Sequence, residues 1–422
     1  MTIVLLFFLL LFLGVPIFAV VLICATSGVF LYSSTSLLII SQQVFAGLDS
    51  TTLLAVPFFI VAGTVASRGK TSEHLVNCMS VVFGRLPGGP VIATIATCAF
   101  FAAISGSSMA TVVAVGSLMI PTLKEKGYPE LMNVGAVCSG GSLGILIPPS
   151  APMVMFCVAM GTSVGKQFIA GVVPGILLAL AWCLYVFVTC SVKKYGTKID
   201  YSPKESVRIF IEAIPALIFP VIVLGSIYSG WATPTEAAAI STVYVLLIEK
   251  FIYKTLTLDN MANFFYRGIL QAATLLLIIG SATALSYLIN TMRIPALAVD
   301  VISSMVSTQG MLVFVIMLML IIAGCFVDTI ALIVILAPIV VPLLNMYNVD
   351  LIHFGIMAIL ASQIGYISPP FGTNLFVTMQ VSGKSFGFVA RSIVPFIIIL
   401  IAMTFFICYV PQISLYLPSL MR

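Results

Sequence analysis

Charge is what this sequence has least of. Of 422 residues, 18 are Lys or Arg and 13 are Asp or Glu, against 61% hydrophobic residues. A water-soluble domain cannot cover its surface with so few charges, so the composition indicates an all-α polytopic membrane protein. Histidine is limited to His74 and His353, too far apart in the chain to suggest a metal pair. The nine cysteines form no CxxC motif and read as small buried apolar residues. No nucleophile stands beside a base, and no paired His and Asp suggest a metal, so an intramembrane enzyme is not expected. Gly161-Thr162-Ser163-Val164-Gly165-Lys166-Gln167 is one residue short of a P-loop and has no Ser or Thr after its lysine. ATP binding is therefore not expected there. The excess of five positive charges lies in loops and makes no case for nucleic acid.

Long apolar runs are what the chain does have. The length suits a single membrane domain with internal repeats. Met1 to Val21 is apolar, without a charged leader or an obvious cleavage site, and reads as part of a retained first span over about 3–31. Further spans are expected at 50–67, 168–192, 209–229, 234–249, 268–290 and 392–416. The apolar run 91–123 would reach about 50 Å as one helix, too long for a core of about 30 Å. Its centre reads Ile104-Ser105-Gly106-Ser107-Ser108, which predicts a re-entrant helical hairpin with a polar tip. A second hairpin is expected over 310–345, around Gly324-Cys325-Phe326-Val327-Asp328-Thr329.

Two further apolar runs are interrupted. In 131–160 the interruption is Gly144-Ile145-Leu146-Ile147-Pro148-Pro149-Ser150, and in 353–380 it is Gly365-Tyr366-Ile367-Ser368-Pro369-Pro370-Phe371. Glycine lets the backbone leave helix geometry, and proline forces it to. Pro148 and Pro149 strip the helical partners from the carbonyls of Gly144 and Ile145. Bare carbonyls in lipid cost several kcal/mol each, so water, protein or a cation must satisfy them. The two breaks lie 221 residues apart, and the same offset relates Ala110 to Ala331, Pro121 to Pro342 and Pro174 to Pro395. Matching breaks in two halves point to a transporter site; structural kinks are the plainer reading of either alone.

Placing the basic loop 193–208 in the cytoplasm puts 15 of the 18 Lys and Arg residues inside and leaves Lys166, Arg293 and Arg422 outside. The N-terminus is then cytoplasmic and the C-terminus external. The first repeat (1–208) is followed by an unpaired linking helix (209–229), and the second repeat (230–422) is inverted, so its hairpin enters from the opposite side.

The tip Ser105-Gly106-Ser107-Ser108 and the carbonyls around Gly144 to Ile147 offer an all-oxygen cage suited to a hard cation such as Na⁺. Gly324, Asp328, Thr329, Gly365 and Ser368 offer a second; close helix packing is the competing use of such small residues. Asp328 is the only acid deep in a hairpin tip, as an ion or ligand contact or as a helix cap. Arg293 lies on the outer side, placed to attract a carboxylate or to snorkel at the interface. Thr233-Pro234-Thr235-Glu236 fits a capping box, with Thr233 at the N-cap and Glu236 at N3.

Taken together, Ile104-Ser105-Gly106-Ser107-Ser108, Gly144 to Ser150, Thr233 to Ala239, His353-Phe354-Gly355 and Ser368 to Phe376 resemble the large membrane subunit of TRAP transporters. The resemblance covers nearly the whole chain. It implies a Na⁺-coupled importer of organic acids such as C4-dicarboxylates or sialic acid, working as an elevator in the bacterial inner membrane. It also implies a periplasmic substrate-binding protein and a small four-helix membrane subunit, expected as a separate chain. Carried over residue by residue, one Na⁺ would be held at Ser105, Ser108, Gly144, Ile147 and Pro149, the other at Gly324, Gly365, Ser368 and Phe371. Na⁺ is a coupling ion here, with no prosthetic group expected. Candidate substrate contacts are Ser107, Ser150, Asp328, Thr329, Thr373, Asn374 and Arg293. The alternative within this fold is a stand-alone ion-coupled anion symporter or antiporter without a binding protein.

Overall fold

A hairpin whose tip stops in mid-membrane needs one helix to end and another to begin within a few residues. The sequence supplies both signals at each tip. In the computed structural model, which describes residues 2–421, the first hairpin has arms Gly89–Ser105 and Ser108–Glu125. Gly106 ends the first arm in the left-handed conformation, with φ of 56°. Ser107 opens the second, its hydroxyl accepting from the Ala110 N–H at 3.4 Å. The second hairpin has arms Gln309–Gly324 and Thr329–Met346, and there Asp328 is the N-cap, accepting from the Ile330 N–H at 2.9 Å. Ser107 and Asp328 are related by the 221-residue offset.

The broken helices follow. The first is Glu130–Ser142, a short 3₁₀ turn over Leu143–Ile145, then Ala151–Met160; the second is Leu351–Ile367 followed by Thr373–Ser382. The peptide bonds Pro148-Pro149 and Pro369-Pro370 are both cis.

Packing sorts the helices into two bodies. Ile17–Tyr32, Leu38–Leu48, Ala55–Arg68, Pro234–Leu247 and Leu258–Thr291 pack on one another and form the first. Both hairpins, both broken helices, Val164–Lys193 and Val394–Tyr409 form the second. Trp182 pins the last two together, its indole N–H donating to the Phe396 carbonyl at 3.0 Å. The bodies meet where Thr329–Met346 lies against Leu258–Thr291 and where the first hairpin lies against Ala55–Arg68. Thr71–Phe83 touches both the first hairpin and Pro203–Tyr228, and Ile294–Met305 touches Thr329–Met346.

The basic connections share one end of the molecule. Arg85 pairs with Asp200 at 2.7 Å, the Thr197 N–H donates to the Lys126 carbonyl at 2.9 Å, and Lys384 and Lys124 both pair with Glu130. Glu249 ties 68–90 to 248–257 at the same end. Its carboxylate is fully buried and accepts from the Thr71 hydroxyl at 2.6 Å and from the Lys70 and Thr71 N–H groups at 3.1 and 3.0 Å. It thereby caps the helix Thr71–Phe83 from outside that helix. Gly69 makes room, since a Cβ there would lie 2.1 Å from the Glu249 carboxyl carbon.

Several expectations are corrected. The stretch 3–31 is not one span. It folds back as Thr2–Phe12 and Ile17–Tyr32, because Gly14 turns with φ of 76° and Pro16 supplies no N–H. The Cys24 thiol consequently lies 3.8 Å from the Ile3 carbonyl. The connection 33–49 contains the helix Leu38–Leu48. The last span, expected over 392–416, is bent by 50° between Phe386–Ser392 and Val394–Tyr409, and Gln412–Ser419 is separate. Arg422, one of the three cations expected on the outer side, lies outside the described residues.

Candidate functional site

Each hairpin tip is pressed against the break of the following broken helix, backbone to backbone. A Cβ on Gly144 would lie 2.6 Å from the Ser107 carbonyl oxygen and 2.8 Å from the Ser108 nitrogen. A Cβ on Gly106 would lie 2.8 Å from the Pro149 carbonyl oxygen. Ser105, Ser108, Gly144 and Pro149 are therefore brought to one place; the Ile147 side chain packs instead toward Gly175. The Ser105 hydroxyl shares a 3.0 Å hydrogen bond with that of Thr111, which braces the tip from inside. Of the carbonyls stripped by the prolines, that of Ile145 accepts from the Ser150 hydroxyl at 2.7 Å. Ser150 is fully buried by this bond and does not line the cavity between the tips.

The second half repeats the contact. A Cβ on Gly365 would lie 2.4 Å from the Gly324 carbonyl oxygen. The Ser368 hydroxyl donates to the Ile364 carbonyl at 2.7 Å. Thr329 is buried at the tip, and the Tyr366 hydroxyl donates to the second Asp328 oxygen at 2.9 Å. Asp328 thus caps its own helix and holds the break of the next. The Phe371 ring faces outward and lies against Phe326, with ring centroids 6.0 Å apart.

Three buried bonds near the breaks cross between the halves. The Ser108 hydroxyl donates to the Asn374 side-chain oxygen at 2.9 Å, and the Asn374 amide nitrogen donates to the Cys138 carbonyl at 3.3 Å. The Gln363 amide donates to the Ser142 hydroxyl at 2.8 Å. Neither Gln363 nor Ser142 stands out in the sequence, yet the two are related by the offset of 221. The Thr373 hydroxyl is buried without a hydrogen-bond partner.

Between the two tips lies a cavity of about 60 Å³. Ser107, Ser108, Asp328 and Tyr366 line it from the second body, and Ile60, Gln271 and Leu275 from the first. Arg293 is exposed at the turn between Leu258–Thr291 and Ile294–Met305 and stands apart from this cavity. Thr233 and Glu236 form a capping box, with the Thr233 N–H donating to the Glu236 carboxylate at 2.8 Å and the Glu236 N–H to the Thr233 hydroxyl at 3.3 Å.

The donor chemistry is hydroxyl and main-chain oxygen at the first clasp, with the Asp328 carboxylate added at the second, and there is no group of three His, Cys, Asp or Glu among the described residues. That set fits a hard cation better than a transition metal.

Residues 4–413 match the family described as "Tripartite ATP-independent periplasmic transporter, DctM component". The chain is 38% identical over 391 residues to the C4-dicarboxylate TRAP transporter large permease protein DctM of Pseudomonas aeruginosa, covering 93% of this chain and 92% of that one. It is 31% identical to the sialic acid TRAP transporter large permease protein SiaM of Vibrio cholerae, covering 97% and 96%. It is 35% identical to the isethionate TRAP transporter permease protein DctMQ of Oleidesulfovibrio alaskensis, of which it spans 65%. Among solved structures, the YdaH transporter of Alcanivorax borkumensis superposes with a TM-score of 0.61 at 14% identity, covering 88% of this chain and 86% of that one. At that identity the likeness shows a shared fold.

Proposed function

This chain belongs to the DctM component family of tripartite ATP-independent periplasmic transporters, and from that premise we propose that it imports an organic acid by Na⁺ symport. The clasp of each hairpin tip on its broken helix carries the reading, because it gathers oxygen atoms in a place lipid cannot solvate. Ser105, Ser108, Gly144 and Pro149, with the Ile147 main chain, would hold one Na⁺; Gly324, Gly365, Ser368 and the Phe371 main chain would hold the other. Na⁺ would supply the positive charge that the freed carbonyls lack. The substrate would sit between the tips with its carboxylate on the Ser107 hydroxyl, while Asn374 fixes Ser108 and Asp328, already accepting from Ile330 and Tyr366, shapes the far wall. Thr329, Thr373 and Ser150 would then support the tips from behind.

The division into two bodies supports an elevator. The hairpins and broken helices pack chiefly on one another and would move as one piece against Leu258–Thr291 and Ala55–Arg68. The basic end would face the cytoplasm of a bacterial inner-membrane protein. A periplasmic binding protein would deliver the acid at the opposite end, and a separate small membrane subunit would complete the stationary body.

The test is uptake into liposomes containing this chain and its small subunit, using labelled succinate and labelled sialate. Uptake that needs both an inward Na⁺ gradient and the cognate binding protein is the expected result. Uptake driven by protons and indifferent to Na⁺ would overturn the cation sites, and uptake without the binding protein would favour a stand-alone symporter.

A further inference from the structure

The small cavity between the hairpin tips has a larger neighbour of about 510 Å³. Three helices line both, each in step. Leu258–Thr291 gives Gln271 and Leu275 to the small cavity and then Ile279, Thr283, Ser286 and Asn290 to the large one. These fall at spacings of three and four, which is one face of a helix. Thr329–Met346 gives Ile330 to the small cavity and then Val334, Pro338 and Pro342. Ala151–Met160 gives Pro152 and then Met155 and Ala159. Three helices passing from one cavity to the other in register make the two cavities successive stretches of one groove between the bodies.

The walls differ in kind. In the larger cavity the faces from Thr329–Met346 and Ala151–Met160 are apolar and the polar side chains come chiefly from Leu258–Thr291, while in the smaller one Gln271 faces Ser107, Ser108, Asp328 and Tyr366. Thr283 satisfies itself, donating to the Ile279 carbonyl at 3.0 Å. Gln271, Ser286 and Asn290 side chains make no hydrogen bond among the described residues, so their polarity is directed at whatever fills the groove. A helix that only packed against apolar neighbours would carry apolar residues there. Asn290 is exposed, and the exposed Arg293 follows one turn on, its N–H donating to the Asn290 carbonyl at 3.0 Å. The far end is shut by the first hairpin, where a Cβ on Gly63 would lie 2.5 Å from the Ser105 carbonyl oxygen.

We infer that the stripe Asn290–Ser286–Thr283–Gln271 is the fixed polar wall of a water-filled path, open at the Arg293 end, and that Gln271 is the ligand contact on the stationary body where this path reaches the hairpin tips. The inference rests on the organic-acid reading above, but the path does not depend on which acid is carried. Arg293 raises the local concentration of an anion at the mouth. Gln271 then touches the ligand only while the groove is assembled, since the hairpins leave it behind when they move. A contact made in one end state alone weights that state.

The deciding experiment is cysteine labelling in intact cells, with a membrane-impermeant sulfonated thiosulfonate added outside and the parent chain, with its native cysteines, as background. Ser286→Cys and Gln271→Cys are expected to react above background, Ser286→Cys faster, with Ser281→Cys at the parent level because that side chain is buried away from the groove. Reaction of Ser286→Cys and Gln271→Cys no faster than parent, or only with reagent on the cytoplasmic side, would overturn the path. Labelling needs no substrate, so it fails separately from the uptake reading. For the acid the uptake assay identifies, Gln271→Ala is expected to raise KM about tenfold without lowering the maximal rate. A lower maximal rate at unchanged KM would make Gln271 structural.

Discussion

Glycine at the clasps is a requirement of distance. Gly144→Ala puts a methyl 2.6 Å from the Ser107 carbonyl oxygen, and the obstruction is backbone that cannot rotate away. The expected result is a fall in initial uptake rate of more than about tenfold at equal membrane content, consistent with a cost of about 1–3 kcal/mol for overpacking. Gly383→Ala, with nothing within 4 Å, serves as a control for space, although its φ of 66° carries its own strain. At this scale the sequence was partly legible. Gly144, Gly365 and the prolines announce themselves because their effect on the backbone is intrinsic. Glu249 does not, because what makes it matter is a helix terminus 178 residues away. Glu249→Ala leaves buried N–H and hydroxyl donors without an acceptor, and thermal unfolding of the purified protein should register a loss of at least about 2 kcal/mol.

Among the elements, both hairpins and both breaks follow from the chain's own punctuation. An apolar run too long for one crossing, with Gly106-Ser107 at the centre of one and Gly324 and Asp328 at the centre of the other, leaves a turn as its main solution. The stretch 3–31 reads as one span because a single glycine and proline, Gly14 and Pro16, are faint marks of a turn in so apolar a run. Leu38–Leu48 was missed for the related reason that a segment without charge gives no sign of where it enters or leaves the membrane. Caps were more readable. Thr233→Ala should cost about 1 kcal/mol, seen as a lower unfolding midpoint without a change in ion dependence. The two broken helices are also joined at their basic ends. Hydrogen bonding to Lys384, with the further pull of Lys124, holds the Glu130 carboxyl below its usual range. A depressed folded-state pKa means the clamp's contribution is present above the unfolded value, about 4.3, and is lost as pH falls through the lower folded value. Glu130→Gln should therefore flatten the decline of thermal stability between pH 5 and lower values relative to the parent, measured by unfolding in buffered detergent.

Over the whole molecule, the basic connections lie at one end, tied by Arg85–Asp200, Thr197–Lys126, Lys384–Glu130 and the Glu249 cap. The count of Lys and Arg anticipated this grouping, because charge cannot be left in lipid whatever the helices do. Accessibility tests its sidedness: Lys198→Cys should react with an impermeant maleimide only from the cytoplasmic side, and Lys166→Cys only from outside. The division into two bodies was less visible. It depends on which apolar faces meet, and apolar residues in a membrane protein do not say which neighbour they will choose.

The bond between Gln363 and Ser142 carries one more consequence. The two residues are separated by the same 221 positions as the two breaks, so residues at corresponding positions meet one another here. The longer glutamine spans the gap to the serine, and two serines would fall short of each other. The site has to be unlike on its two sides to be filled. Exchanging the pair, Ser142→Gln with Gln363→Ser, should restore what either single change removes, and to that extent the two halves read each other as mirror and object.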